Sequence, residues 1–225
     1  MSSFAVRNFG CRVNQAEAFA WADAFRKHGL KLDGAWDRSD VVLVNSCTLT
    51  GRADRDVRKF IRTAARVNPA VRIVVTGCLA ERAPAEIAAM PNVVAVLPQS
   101  AKDGIAARLI EMAGGESAPG ASAGTDLPAG PGTDAAFRRR AFLKVQDGCD
   151  ERCAFCVIPS VRGKSRSVEP DRIVAEARGL SGRGFREIVL AGIHLSSYGE
   201  DLEPRTTLLD LLRDLSTAAP DARFR

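Results

Sequence analysis

No apolar run in this 225-residue chain is long enough to cross a bilayer, which excludes a helical membrane span. Histidine is nearly absent, with two residues in all. A structural zinc site wants four nitrogen or sulfur ligands, usually as two paired knuckles, and the sequence has only one Cys-x2-Cys pair. The opening residues, Met1-Ser2-Ser3-Phe4-Ala5-Val6-Arg7, lack a basic segment followed by the apolar core of a secretory signal. Six cysteines without such a signal point to a reducing compartment, where thiols serve metals or chemistry rather than crosslinks. The expected location is therefore cytoplasmic. Aromatic residues are few, and the share of hydrophobic and charged residues is that of a soluble globular protein. A net charge of +5 permits an acidic partner without requiring one.

What the chain does have is three cysteines in one short run. Gly148-Cys149-Asp150-Glu151-Arg152-Cys153-Ala154-Phe155-Cys156 gives the spacing Cys-x3-Cys-x2-Cys. Three thiolates can hold three irons of a [4Fe–4S] cube and leave the fourth iron without a protein ligand. An iron with an open position can bind a substrate. The competing readings are a zinc site, for which His194 is the nearest downstream histidine, and a disulfide, which would leave one cysteine over.

The chain is long enough for one large domain or two moderate ones. Strands are predicted at Phe4–Phe9, Val41–Asn45, Arg72–Thr76 and Val93–Leu97, each short and rich in Val or Ile. Helices are predicted at Gln15–His28, Arg52–Val67, Pro84–Met90 and Ala101–Met112. Alternating strands and helices imply an open parallel sheet covered on both faces, so residues 1–113 form an α/β domain of the flavodoxin or Rossmann kind. Residues 114–136, dominated by Gly, Ala, Ser and Pro, form a flexible linker. A second α/β unit, 137–225, has strands at Ala141–Gln146 and Glu187–Ala191 and helices at Pro170–Ser181 and Thr206–Thr217. It ends in what looks like a third strand, Arg223-Phe224-Arg225. A complete (β/α)8 barrel takes about 250 residues, so this unit reads as the start of a barrel truncated at its C-terminus.

The other cysteines, Cys11, Cys47 and Cys78, share no local motif, but each follows the end of a predicted strand by one or two residues. In an open parallel sheet the carboxyl ends of the strands share one edge, where ligands bind. All three thiols are therefore expected on one rim, where Gly10 and Gly77 would let the backbone turn closely around a bulky inorganic group. The alternative is three small buried residues.

These motifs resemble the radical S-adenosylmethionine (SAM) methylthiotransferase family. Gly10-Cys11-Arg12-Val13-Asn14-Gln15-Ala16-Glu17, Asn45-Ser46-Cys47-Thr48 and Thr76-Gly77-Cys78-Leu79-Ala80 look like its three separate cysteine motifs. Gln146 through Pro159, with Arg162-Gly163, looks like its radical SAM motif. The Cys-Arg-Val-Asn-Gln opening and Ala191 through Leu202 are most similar to the branch acting on threonylcarbamoyladenosine in tRNA. The branches acting on isopentenyladenosine in tRNA or on a ribosomal-protein aspartate are the alternatives, and a non-catalytic iron–sulfur or zinc-binding fragment is the alternative from another class.

The resemblance implies that 137–225 begins a radical SAM partial (β/α) barrel and that the chain uses two [4Fe–4S] clusters. Cys149, Cys153 and Cys156 would hold the cluster whose open iron binds SAM. An electron donor such as flavodoxin or ferredoxin would supply the electron that cleaves SAM to a 5′-deoxyadenosyl radical. Cys11, Cys47 and Cys78 would hold an auxiliary cluster that presents sulfur. A radical suits the task because an adenine C2–H bond is too little polarised for acid–base chemistry. Phe155 would pack near the adenine of SAM or shield the cluster. His194, just beyond a barrel strand with Tyr198, would face substrate or SAM, or act as a structural hydrogen-bonder. Arg52, Arg55, Lys59, Arg62 and Arg66 recur at steps of three and four and so share one helix face. That face suits the phosphate backbone of tRNA, or is an ordinary solvated surface. Arg138-Arg139-Arg140 is a weaker cluster of the same sort, His28 suits a helix C-terminus, and Trp21 and Trp36 are expected in or near the core.

Overall fold

A computed structural model of the chain describes residues 3–27, 31–32, 35–112 and 140–225. They belong to two compact units. The expected linker, together with His28, Arg138 and Arg139, lies outside the described residues.

In the first unit, β1 (Ser3–Asn8) leads into α1 (Arg12–Lys27), β2 (Lys31–Leu32), β3 (Val41–Ser46) and α2 (Gly51–Val67). Then come β4 (Arg72–Gly77), the short helices α3 (Cys78–Arg82) and α4 (Pro84–Ala88), β5 (Val93–Val96), a 3-10 turn over Gln99–Gly104, and α5 (Ile105–Met112). Every strand pairing is parallel, and the order is β2-β1-β3-β4-β5. This is the flavodoxin-like doubly wound order, whose topological switch point lies between β1 and β3.

Side-chain alternation along the strands sets the layers. Phe4, Val6, Val41 and Leu43 pack with Trp21 and Phe25 of α1 and with Ile105 and Leu109 of α5. Ala5, Val42, Val44 and Val75 face the other way, against Val57, Phe60 and Ile61 of α2. That helix starts where the Thr50 hydroxyl accepts from the Ala53 N–H at 3.1 Å, satisfying one of its orphan donors. Its buried residues are Val57, Phe60, Ile61 and Ala64, the set that a 3.6-residue period selects. Trp21 is buried, and Trp36 packs edge-on against Phe60 with ring centroids 5.2 Å apart.

The second unit runs β6 (Arg140–Lys144), β7 (Gln146–Asp147), α6 (Ile158–Arg162), β8 (Arg166–Ser167), α7 (Pro170–Gly182), β9 (Glu187–Ala191), α8 (Leu208–Ala218) and β10 (Arg223–Phe224). Strands β6, β9 and β10 form a parallel sheet in sequential order, with α7 and α8 in the connections. Stepwise growth of this kind is the repeat of a (β/α) barrel.

Several details differ from the sequence reading. Helix α1 starts at Arg12 rather than Gln15, and the helix expected from Ala101 opens as a 3-10 turn as far as Gly104. Gln146, expected to close a strand, instead opens β7, which pairs antiparallel with β8. The elements β2, β7, β8, α3 and α6 were not expected. Each is too short to carry a readable period. Arg140, expected among the surface bases, lies in β6 and forms an ion pair with Glu187 of β9 at 2.8 Å.

Candidate functional site

Cys11, Cys47 and Cys78 lie beyond the carboxyl ends of β1, β3 and β4, three adjacent strands of the first sheet. The first two flank the switch point, where a doubly wound sheet opens a crevice. Cys47 and Cys78 are buried, Cys11 is partly exposed, and none of the three is in a disulfide. The loops approach closely: a Cβ on Gly10 (φ +142°) would stand 3.0 Å from Cys47 Sγ. At Gly77 (φ +96°) a Cβ would collide with the Ser46 carbonyl oxygen. Only glycine permits either backbone.

Polar side chains join the three loops. The Cys11 thiol donates to Asn14 Oδ1 at 3.4 Å, while Asn14 Nδ2 donates to the Ser46 carbonyl at 2.9 Å. The Ser46 hydroxyl donates to the Thr76 carbonyl at 2.6 Å and accepts from the Ala80 N–H at 3.2 Å. Behind them, Asn45 Nδ2 donates to Glu17 Oε2, which also accepts from Lys102 Nζ at 2.6 Å in a fully buried ion pair. Glu17 was quoted only as the end of a cysteine motif and Lys102 not at all, because their partnership spans 85 positions.

This rim fits an iron–sulfur group. Its donors are three thiols outside any disulfide, the ligand type such clusters use. Three buried oxygens around them, Asn45 Oδ1, Thr48 Oγ1 and Gln99 Oε1, have no hydrogen-bond partner among the described residues. Buried polar atoms are normally paired, so orphans gathered at one rim mark a place built for something more than protein. Among the described residues, no three Cys, His, Asp or Glu side chains are gathered for a single metal ion. A cube spreads its thiolates more widely than one ion does.

The second cysteine run forms an irregular loop between β7 and α6. Cys149 is partly exposed, Cys153 and Cys156 are exposed, and all three are free. The Cys156 N–H donates to the Cys153 carbonyl at 3.1 Å, and the Cys149 N–H donates to the Gly163 carbonyl at 3.1 Å. Phe155 stands fully in solvent, packed on nothing.

Gln146, buried at 0% exposure, fixes the entrance to this loop. Its Oε1 accepts from the backbone N–H groups of Ile193 and His194 at 2.8 and 2.9 Å. Its Nε2 donors are shared among the carbonyls of Asp147 and Gly148 and the Ser165 hydroxyl, at 2.8 to 3.0 Å. One amide thus ties the cysteine loop to the segment after β9. Replacing Gln146 with Leu leaves these backbone groups unpaired, each unsatisfied group costing about 1–3 kcal/mol. We expect the urea midpoint to fall accordingly, with Gln146→Glu also destabilised because its carboxylate faces two carbonyl oxygens.

Asp147 accepts from Arg162 Nη1 at 2.7 Å and from the Gly148 N–H at 2.9 Å, with Lys144 Nζ 3.5 Å away. Burial opposes ionisation of this carboxyl, but Arg162 and Lys144 outweigh it and hold the acid below its usual range. His194 is half-buried, and its carbonyl accepts from the Ser197 hydroxyl at 2.9 Å. Tyr198, expected on the rim, is instead buried, with its hydroxyl donating to the Val168 carbonyl at 2.8 Å. Burial and then the nearby Glu169, Asp201 and Asp214 push its phenol up to about 12, so it latches structure rather than moving protons.

Arg52, Arg55, Lys59, Arg62 and Arg66 are all exposed along α2, opposite its buried residues. Arg52 lies 3.8 Å from Asp56, too loosely to neutralise the stripe. Among the described residues, no helix is long and apolar enough to cross a membrane.

Residues 3–98 match the model of the uncharacterized protein family UPF0004, and residues 143–219 match that of the Radical SAM superfamily. A threonylcarbamoyladenosine tRNA methylthiotransferase, MtaB, of Bacillus subtilis (strain 168) is 35% identical over 224 residues, covering 96% of this chain and 49% of the relative. A ribosomal protein uS12 methylthiotransferase, RimO, of Roseiflexus sp. (strain RS-1) is 34% identical over 248 residues, covering 98% of this chain and 52% of the relative. The chain thus spans about half the length of the curated relatives it matches. The solved structure of the radical S-adenosylmethionine methyltransferase TsrM from Kitasatospora setae superposes with a TM-score of 0.59 at 14% identity, covering 100% of this chain and 54% of that one. That likeness concerns the fold alone. With both domain models in the expected order and relatives aligned across nearly the whole chain, the chain belongs to the radical SAM methylthiotransferase family.

Proposed function

We propose that this chain is the part of a cytoplasmic tRNA-modifying enzyme that carries both of its iron–sulfur sites. The reaction would place a methylthio group on C2 of N6-threonylcarbamoyladenosine beside the anticodon. The observation that carries this reading is the placement of Cys11, Cys47 and Cys78 beyond the carboxyl ends of three adjacent parallel strands, in a chain whose second unit holds a separate three-cysteine loop. The similarity to MtaB supports the nucleoside, and the similarity to RimO keeps a protein aspartate as the competing substrate.

Cys149, Cys153 and Cys156 would hold one [4Fe–4S] cluster with SAM at its open iron, and Cys11, Cys47 and Cys78 the other. Bound together, these cofactors would supply a carbon radical able to take the C2 hydrogen and a methylated sulfur to replace it, the radical and the methyl group each drawn from a SAM and the electron from flavodoxin or ferredoxin. The chain's own contribution is positioning. Gln146 and the Asp147–Arg162 pair hold the entrance to the second cysteine loop, while Asn14 and Ser46 hold the rim of the first site. Phe155 and His194 are assigned to the surroundings of SAM, the phenyl ring free to pack once the loop is filled.

Anaerobic reconstitution tests the cofactor reading: about eight irons per chain, with 5′-deoxyadenosine formed on reduction in the presence of SAM, is expected. Fewer than about four irons without cleavage would sink it. Nucleoside digests of tRNA from a bacterial host lacking its own enzyme test the substrate. Methylthiolated threonylcarbamoyladenosine supports the assignment. Methylthiolation of isopentenyladenosine or of protein uS12 instead replaces it.

The exposed stripe on α2 is assigned to tRNA phosphates. Each phosphate contact releases counterions, so changing Arg55, Lys59 and Arg62 to Gln should weaken binding about equally for all tRNA sequences. The plot of log affinity against log salt should flatten by roughly two to three units. Gel-shift titrations at several salt concentrations read this, and an unchanged slope returns the stripe to plain surface.

A further inference from the structure

We infer that Gln99 is a positioning residue that donates a hydrogen bond to Cys78 and raises the reduction potential of the group held at the first rim. This rests on the reading that Cys11, Cys47 and Cys78 bind an iron–sulfur cluster. Gln99 Nε2 donates to Cys78 Sγ at 3.6 Å. Its backbone N–H donates to Glu81 Oε2 at 2.9 Å, so the residue is fastened to the helix that begins at Cys78 itself. Three residues on, in the same 3-10 turn, Lys102 enters the buried ion pair with Glu17 of α1. The turn is thus anchored on both sides, and the amide is held against the sulfur rather than swinging in solvent.

The other end of the amide points to the same conclusion. Gln99 Oε1 is buried without a hydrogen-bond partner among the described residues. A glutamine kept only for packing would not leave a buried oxygen unsatisfied, since such an atom carries an uncompensated desolvation cost. That arrangement is worthwhile where the N–H end meets a charged acceptor, and an iron-bound thiolate is one. The contrast with Cys11 sharpens the assignment. There an amide oxygen, Asn14 Oδ1, faces the sulfur, and its orientation is fixed by Nδ2 donating to Ser46 and Phe9 carbonyls. An amide oxygen stabilises no negative charge on sulfur, whereas an amide N–H does. Reduction adds negative charge that spreads onto the ligating sulfurs, so the donor at Cys78 favours the reduced state.

The test uses the full chain with Cys149, Cys153 and Cys156 changed to Ala, so that one cluster remains. The parent and its Gln99→Met and Gln99→Glu variants are reconstituted with iron and sulfide, and redox titrations are followed by electron paramagnetic resonance. Equal iron content with a more negative midpoint in Gln99→Met, and a further negative shift in Gln99→Glu, is the expected result. Equal iron with unchanged midpoints overturns the role of Gln99. Failure of the parent itself to take up iron overturns the reading of the site beneath it. Resonance Raman gives a second readout: an iron–thiolate band that shifts in D2O in the parent and no longer does so in Gln99→Met. A band insensitive to D2O in the parent excludes the hydrogen bond.

Discussion

Cys153→Ala is expected to abolish 5′-deoxyadenosine formation, whereas Cys47→Ala should leave that cleavage intact and abolish methylthio transfer. This pair of results has the largest effect expected of the chain and separates its two sites. Cys153 belongs to an exposed loop with Cys149 and Cys156, so its removal leaves two thiols where a cube needs three. Cys47 is buried in the other unit, between the Gly10 turn and the end of β3. Its loss leaves the proposed SAM site its full set of thiols. Chromatographic detection of 5′-deoxyadenosine and mass spectrometry of the nucleosides read the two activities separately. If both variants still make product, or if Cys47→Ala loses cleavage as well, the division of labour between the units is wrong.

Arg162→Met is expected to destabilise the second unit by about 3 kcal/mol, because it withdraws the main partner of a buried carboxylate. Arg162 Nη1 lies 2.7 Å from Asp147, and both side chains are nearly enclosed. Lys144, 3.5 Å away, compensates only in part. The damage reaches the cysteine loop, since the Gly163 carbonyl next to Arg162 accepts from the Cys149 N–H. Urea unfolding measures the loss. The pH dependence identifies its cause. A carboxyl held below its ordinary value of 3.8 contributes stability that is fully present above that value and is lost as the pH falls through its folded one. The stability gap between the parent and Asp147→Asn should therefore narrow as the pH drops below about 4. A gap independent of pH would show that the pair's charge contributes nothing.

Much of the candidate site could be read from local sequence. The Cys-x3-Cys-x2-Cys run is a pattern of neighbours, and no folding is needed to see that it offers three thiols to one group. The strand-end positions of Cys11, Cys47 and Cys78 followed from short Val- and Ile-rich runs. The two faces of α2 followed from its period, with Phe60 and Ile61 buried and Arg62 exposed. Gln146 was harder to recognise. It was quoted as part of a motif, yet its role depends on Ile193 and His194, 47 and 48 positions away. Gln99 gave no signal at all, because a glutamine after a proline is unremarkable until the fold brings it to Cys78. Phe155 was assigned a packing role that the structure leaves open, its ring lying in solvent.

The sequence by itself determined the number and grouping of the thiols, the alternation of strands and helices, and the amphipathic face of α2. These depend on residues within a few positions of one another. The tertiary structure alone decided the order β2-β1-β3-β4-β5, which sets Cys11 and Cys47 on either side of the switch point with Cys78 one strand further along. It also decided the Lys102–Glu17 pair, the Gln146 tie and the Gln99–Cys78 contact. Each joins groups far apart in the chain, and such pairings are fixed by burial and hydrogen-bond satisfaction across the whole fold, which local periodicity does not encode.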